Sequence, residues 1–137
     1  MTKQNTREQK VQEFHKAMGL DVGQELSIPL MNLRLALMRE ELEEVEEAMD
    51  DLFYEGQTQA GWEHLLKELC DLQYVLSGTV VSLKGLSGVD FDAAFNRVHN
   101  SNMSKLDNDG KPVYNDFGKV LKGPNYKPAD MRGLIND

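Results

Sequence analysis

Two long amphipathic runs, residues 31–55 and 62–84, limit what this chain can become more than any other feature. Each repeats apolar residues at helical spacing over more than twenty positions and closes at a glycine, Gly56 and Gly85. Runs of that length and period are helices, and an amphipathic helix must bury its apolar stripe against another element. Thr6 followed by Gln9 forms a capping box that opens an earlier helix, ended by Gly19, with Val11, Phe14, Ala17 and Met18 on one side. Residues 20–30 read as a loop closed by Pro29. Asp90 is the N-cap of a fourth helix through Phe91, Ala94, Phe95 and Val98 to about residue 106. No segment reads as a strand, so the expected fold is all-α, a four-helix bundle in one domain over residues 1–137.

The helical core spans about residues 6–106, and the remainder differs in kind. Asp107-Asn-Asp-Gly-Lys is a turn signal, and glycine and proline recur at short intervals to the end. Residues 107–137 therefore read as an ordered, irregular arm, with a short hairpin around Asp109-Gly110. Charge is segregated along the chain. Residues 40–55 hold nine acids and no base, whereas residues 97–137 hold seven bases and five acids. The early part is suited to a cation and the later part to an anion. A net charge of −8 argues against non-specific duplex binding. The first residues lack the apolar core of a secretory signal, no run is long enough to span a membrane, and Cys70 is the single cysteine. These features fit a soluble cytoplasmic protein, with Cys70 as a small core residue.

The second helix breaks its own pattern. Its polar face collects Arg39, Glu43, Glu46, Glu47 and Asp50, and its apolar face Leu35, Met38, Leu42, Val45, Met49 and Leu52, continued by Leu33, Leu37 and Ala48. Glu41 and Glu44 fall inside the apolar arc, and Glu40 at its boundary. Solvent accounts for the acids of the polar face. It does not account for Glu41 and Glu44, because a carboxylate facing a core costs several kcal/mol (roughly) unless paired or metal-bound. The third helix, with Leu65, Leu69, Leu72, Leu76, Val80 and Leu83 as its apolar face, repeats the anomaly: Glu68 lies at the edge of that face and Asp71 one turn on. Two such pairs facing each other make an all-oxygen cluster suited to Mg²⁺ or Mn²⁺. The competing explanation is Lys or Arg supplied by another helix.

Other chemistries fit worse. Di-iron bundles use Glu-x-x-His, and here the fourth position is Glu or Asp. The Asp107 segment opens like a calcium loop, but Gly110 comes too early and Lys111 takes a ligand position. There is no phosphate-binding glycine loop with Lys-Ser/Thr, and no serine or cysteine stands beside an evident base.

Glu40-Glu41-x-x-Glu44 followed by Glu68-x-x-Asp71, with Asn102-x-x-Lys105 downstream, resembles the signature of the MazG-like all-α nucleoside triphosphate pyrophosphohydrolases. That superfamily includes dimeric dUTPases, dCTP pyrophosphatases and phosphoribosyl-ATP pyrophosphohydrolase. The resemblance covers about residues 10–106. It implies a metal-dependent enzyme that splits a (d)NTP into the monophosphate and pyrophosphate, in a house-cleaning role, or else acts on phosphoribosyl-ATP. It also implies roles. Glu41, Glu44, Glu68 and Asp71 would hold Mg²⁺ or Mn²⁺, with Glu40 and Glu41 acting on the attacking water (a solvated flank being the plain alternative for Glu40). Lys105 and Asn102 would meet phosphate or ribose. Arg34 would meet phosphate or form an ion pair, and His15 and His99 would line the pocket or serve structure. Trp62 and Tyr74 would stack on a base or pack in the core, and Lys119 and Lys122 would close over the phosphates. A homodimer or homotetramer is expected, since one small bundle leaves apolar surface to cover. A non-catalytic helical interaction module is the alternative outside enzymes.

Overall fold

The structure is a computed structural model and describes residues 5–136. Its helices are α1 (Arg7–Met18), α2 (Ile28–Glu55), α3 (Gln59–Ser82) and α4 (Phe91–Met103). The described residues form no strand beyond two isolated bridges, Gln24 with Leu83 and Tyr114 with Val120. The fold is all-α. The chain divides into two compact units, one reaching to Gly88 and taking in Asn136, the other Val89–Ile135.

In the first unit the local signals act as the sequence suggests. The Thr6 side chain accepts from Gln9 N–H, Gln9 reciprocates, and Gly19 ends α1 in the left-handed region at φ 71°. Helix α2 starts three residues earlier than its apolar period suggests. Ser27 is the N-cap and accepts from Leu30 N–H, so Pro29 lies inside the first turn instead of closing the loop. Proline is tolerated there because those N–H groups have no helical partner. Helix α3 likewise starts early, capped by Thr58, and ends at Ser82. Leu83 is extended, and the loop after α1 runs beside it: Gly23 N–H donates to Val81 O at 2.9 Å and Gln24 N–H to Ser82 O at 2.7 Å.

The connection of residues 56–58 makes α2 and α3 antiparallel. Val45, Ala48, Leu52 and Leu65 form the buried core between them, with Leu72 against it. Nearer the start of α2, Leu30 and Arg34 are buried as well. The expected apolar faces are therefore only partly used. Leu33, Leu35, Leu42 and Met49 of α2, and Leu69 and Leu76 of α3, are exposed. Within this unit only α1 packs on the pair, against α3, and the side carrying these leucines and Met49 is left exposed.

In the second unit, Asp90 caps α4 by accepting from Ala93 N–H at 3.0 Å. The helix ends at Met103, short of residue 106, and the arm packs along it. Arg97 Nη1 donates to the carbonyls of Asp130 and Arg132, both at 2.8 Å, and Ser101 Oγ to Lys127 O at 2.8 Å. The hairpin-like element is not at Asp109-Gly110. There, Asp107 Oδ1 accepts from the N–H groups of Asp109 and Lys111 in a closed turn. Asn115 repeats that arrangement with Phe117 and Lys119, and the Tyr114–Val120 bridge flanks this second turn. Two side-chain-capped turns replace ladder pairing.

Candidate metal centre

The antiparallel register of α2 and α3 can be read from two close approaches. Arg34 reaches Val75 and Thr79 near one end, and Leu52 lies against Gly61 near the other. Between these levels Glu41 and Glu44 stand opposite Asp71 and Glu68. The four carboxylates each offer one oxygen, and these oxygens all lie within 4.8 Å of one another. Glu68 is buried, at 6 % exposure, and the other three are half-buried. Sequence periodicity places Glu68 only at an apolar edge, yet it is the deepest of the four.

Two atoms in the cluster point to a missing partner. Glu41 Oε2 and Glu68 Oε2 are buried and accept no hydrogen bond. A buried carboxylate oxygen without a donor is costly, and a cation is the simplest group to satisfy two at once. The donor set is entirely oxygen, which selects hard divalent ions over softer ones. These residues fit such an ion.

The cluster's own electrostatics carry the same message. Hydrogen bonding to Glu68 and then to Glu41, with the negative charge of Glu41 beside it, pushes the Glu44 carboxyl up to about 7. Crowding of acids around Glu44 thus disfavours its charged form, as expected of carboxylates with no cation among them. The cations expected from another helix are absent: among the described residues no Lys or Arg from outside α3 pairs with these carboxylates. Two groups of α3 itself do so. His64 Nε2 lies 3.2 Å from Glu68 Oε1, and Lys67 Nζ lies 2.6 Å from Asp71 Oδ2 and 3.5 Å from Glu68 Oε1. Sequence reasoning missed both, although the spacings His64 to Glu68 and Lys67 to Asp71 are i to i+4 on a helix and were there to be read.

Other sequence-derived candidates are dispersed. Glu40 is exposed on α2, one residue before the cluster. Arg34 is buried between helices, its Nε donating to Thr79 Oγ1 at 3.2 Å and its Nη2 to Val75 O at 2.8 Å, and burial lowers its pKa. His15 is buried too, with Nδ1 2.8 Å from Asp21 O. Gly78 makes room for both side chains: a Cβ there would lie 2.5 Å from Arg34 Nη2 and 3.0 Å from His15 Nε2. His99, Asn102 and Lys105 belong to the second unit, the first two exposed on α4 and Lys105 half-buried just beyond it. Tyr74 meets Phe14 edge-on at 5.5 Å, and Trp62 is about half exposed. Lys119 is exposed, and Lys122 lies over the Tyr126 ring at 4.8 Å. Cys70 is not a core residue. It is exposed and lines a cavity of about 340 Å³ between α1 and α3 with Arg7, Lys10, Gln73 and Tyr74. No described helix is long and apolar enough to cross a membrane.

Comparison with curated proteins gives no match. The sequence model of the phosphoribosyl-ATP pyrophosphohydrolase family matches residues 11–102, which takes in α2, α3, all four clustered carboxylates and most of α4. The match brings a pyrophosphohydrolase-type activity on phosphoric anhydrides, of a kind that is usually metal-dependent. The match covers about two thirds of the chain, and the chain belongs to the phosphoribosyl-ATP pyrophosphohydrolase family, within the MazG-like all-α superfamily.

Proposed function

We propose that this protein is a divalent-metal-dependent nucleotide pyrophosphohydrolase that cleaves a (d)NTP between its α- and β-phosphates, releasing the monophosphate and pyrophosphate. The observation that carries this reading is the pair of unpartnered buried oxygens, Glu41 Oε2 and Glu68 Oε2, inside a four-carboxylate cluster. Glu41, Glu44, Glu68 and Asp71 would hold Mg²⁺ or Mn²⁺. When bound, the ion supplies charge neutralisation of the phosphates and acidification of a water. Glu40, exposed one residue before the cluster, would orient that water or take its proton, and Glu41 would share this work. The anionic substrate needs cations as well, and on the family resemblance Asn102 and Lys105 would offer an amide and an ammonium to ribose and phosphate. His99, Arg34 and His15 are the remaining substrate-binding candidates, although the last two already have protein partners.

The family match favours a second substrate, phosphoribosyl-ATP, in which the same bond between α- and β-phosphates is broken. One panel decides. Purified protein is offered each dNTP and NTP and phosphoribosyl-ATP with Mg²⁺ or Mn²⁺, and pyrophosphate is measured. Release from a dNTP supports house-cleaning, release from phosphoribosyl-ATP alone supports the second reading, and no release from any compound sinks the enzyme reading and leaves the helical interaction module.

We also propose that the protein works as a homodimer or homotetramer in the cytoplasm. Leu35, Leu42 and Met49 recur every seventh residue on the uncovered side of α2, and Leu69 and Leu76 do so on α3. Stripes of that period pack on helices of the same kind, so a second copy of the chain is the occupant they suit.

A further inference from the structure

Lys67 is the one ammonium within ion-pair distance of the clustered carboxylates among the described residues, and it stands on two of the four at once. Its side chain is 66 % exposed, with no described hydrogen bond other than to the cluster. As a structural device it is poorly placed. A solvated pair of this kind contributes little stability, and the base precedes the acid by four residues, the less favourable order on a helix. Its location has a clearer electrostatic meaning. Four carboxylates whose oxygens lie within 4.8 Å crowd negative charge together, and without a metal the nearest compensating charge is Lys67 of α3 itself. Lys67 Nζ holds the outer oxygens Asp71 Oδ2 and Glu68 Oε1, while Glu68 Oε2 stays buried and free.

We propose that Lys67 is a displaceable counter-cation: it neutralises Glu68 and Asp71 in the metal-free protein and swings into solvent when a divalent ion enters the cluster. This rests on the reading of the four acids as metal ligands. A divalent ion drawing charge from the same two carboxylates repels an ammonium held beside them, and the exposed stem lets Lys67 leave at small cost. An exposed lysine is a full cation at neutral pH. His64 remains on Glu68 Oε1, which keeps that carboxylate oriented after Lys67 has gone. Lys67 thus sets a threshold. The site fills only when the ion out-competes a resident charge.

The test is titration of Mn²⁺ alone, without nucleotide, into the full chain, followed by calorimetry. Lys67→Met keeps the apolar stem and removes the charge, Lys67→Gln does so with a polar end, and Lys67→Arg keeps the charge. Removing one solvent-screened cation should tighten Mn²⁺ binding about threefold to tenfold in the first two variants, with Lys67→Arg close to wild type. The difference should shrink in high salt. Unchanged or weaker binding in Lys67→Met and Lys67→Gln overturns the proposal while leaving the metal site standing. Wild-type protein that takes up no Mn²⁺ overturns both.

Discussion

The seam between α2 and α3 buries polar groups at two levels, and the two are handled in opposite ways. At one level Arg34 is surrounded by its own protein. Thr79 Oγ1 and Val75 O accept its hydrogen bonds, and Gly78 withholds a side chain to make space. About two turns along α2, Glu41 and Glu44 meet Glu68 and Asp71, and two buried oxygens have nothing to accept from. A buried polar group that serves structure is satisfied by the fold, whereas one that serves a ligand is left for the ligand to satisfy. Hence Arg34, buried nearly as deeply as Glu68, is the weaker candidate for contact with substrate.

The sharpest way to break this comparison is to neutralise one residue at each level. Glu68→Gln keeps the shape of the side chain and removes a ligand charge. Pyrophosphate release should fall by roughly a hundredfold or more, as when a group essential to charge stabilisation is lost. The metal-free protein should melt at the same temperature or higher, because mutual repulsion is relieved. Asp71→Asn and Glu41→Gln should behave alike. A Glu68→Gln protein that keeps its turnover ends the case for the cluster as the reactive centre.

At the Arg34 level the opposite pattern is expected. Gly78→Ala inserts a methyl where Arg34 Nη2 and His15 Nε2 already sit, and both of those side chains are pinned by hydrogen bonds. Thermal or urea unfolding should show a loss of about 1–3 kcal/mol, the usual cost of overpacking. Mn²⁺ affinity should be nearly unchanged. If Gly78→Ala instead removes metal binding at unchanged stability, the two levels are not separate in the way the hydrogen bonds indicate.

The sequence made one of these levels plain and hid the other. Glu41 and Glu44 interrupt an apolar period, and a charge in the wrong place on a helix needs no structure to be noticed. Glu68 looked marginal because a helical wheel assumes one apolar direction, whereas α3 is covered by α1 on one side and α2 on another. Exposed Leu69 and Leu76 and exposed Cys70 have the same cause: apolar positions were assigned to a core that three helices only half enclose. The capping residues Thr6 and Asp90 were legible because their signal is local. Ser27 and Thr58 were not, because Pro29 and Gly61 inside first turns disguise where helices begin. Arg34 was read as a charge in search of an anion, since its carbonyl and hydroxyl partners on α3 lie more than forty residues away.

The uncovered side gives a test of intermediate size. Leu42→Lys puts a charge in the middle of the Leu35, Leu42, Met49 stripe, on a residue already exposed in the single chain. Light scattering should show a shift from dimer or tetramer towards monomer, with helicity retained. A wild-type protein that is monomeric at high concentration ends the proposal that these leucines meet a second copy.

The smallest effect is a pH dependence, and it too separates the two levels. Glu44 is raised to about 7 by its neighbours Glu68 and Glu41, so the folded metal-free protein binds a proton that the unfolded chain releases near 4.5. A raised acid stabilises the fold below its unfolded pKa, and that contribution is lost as pH climbs through the folded value. Metal-free protein should therefore lose some stability between about pH 4.5 and 7 from this group, and Glu44→Gln should flatten that part of the curve. Mn²⁺ must expel the same proton, so its affinity should rise across this window and level off above it. Arg34 supplies no such slope, because its guanidinium stays charged across this range. A Glu44→Gln stability curve that keeps its full slope from pH 4.5 to 7 would place the shared proton elsewhere and remove the electrostatic argument for a cation between α2 and α3.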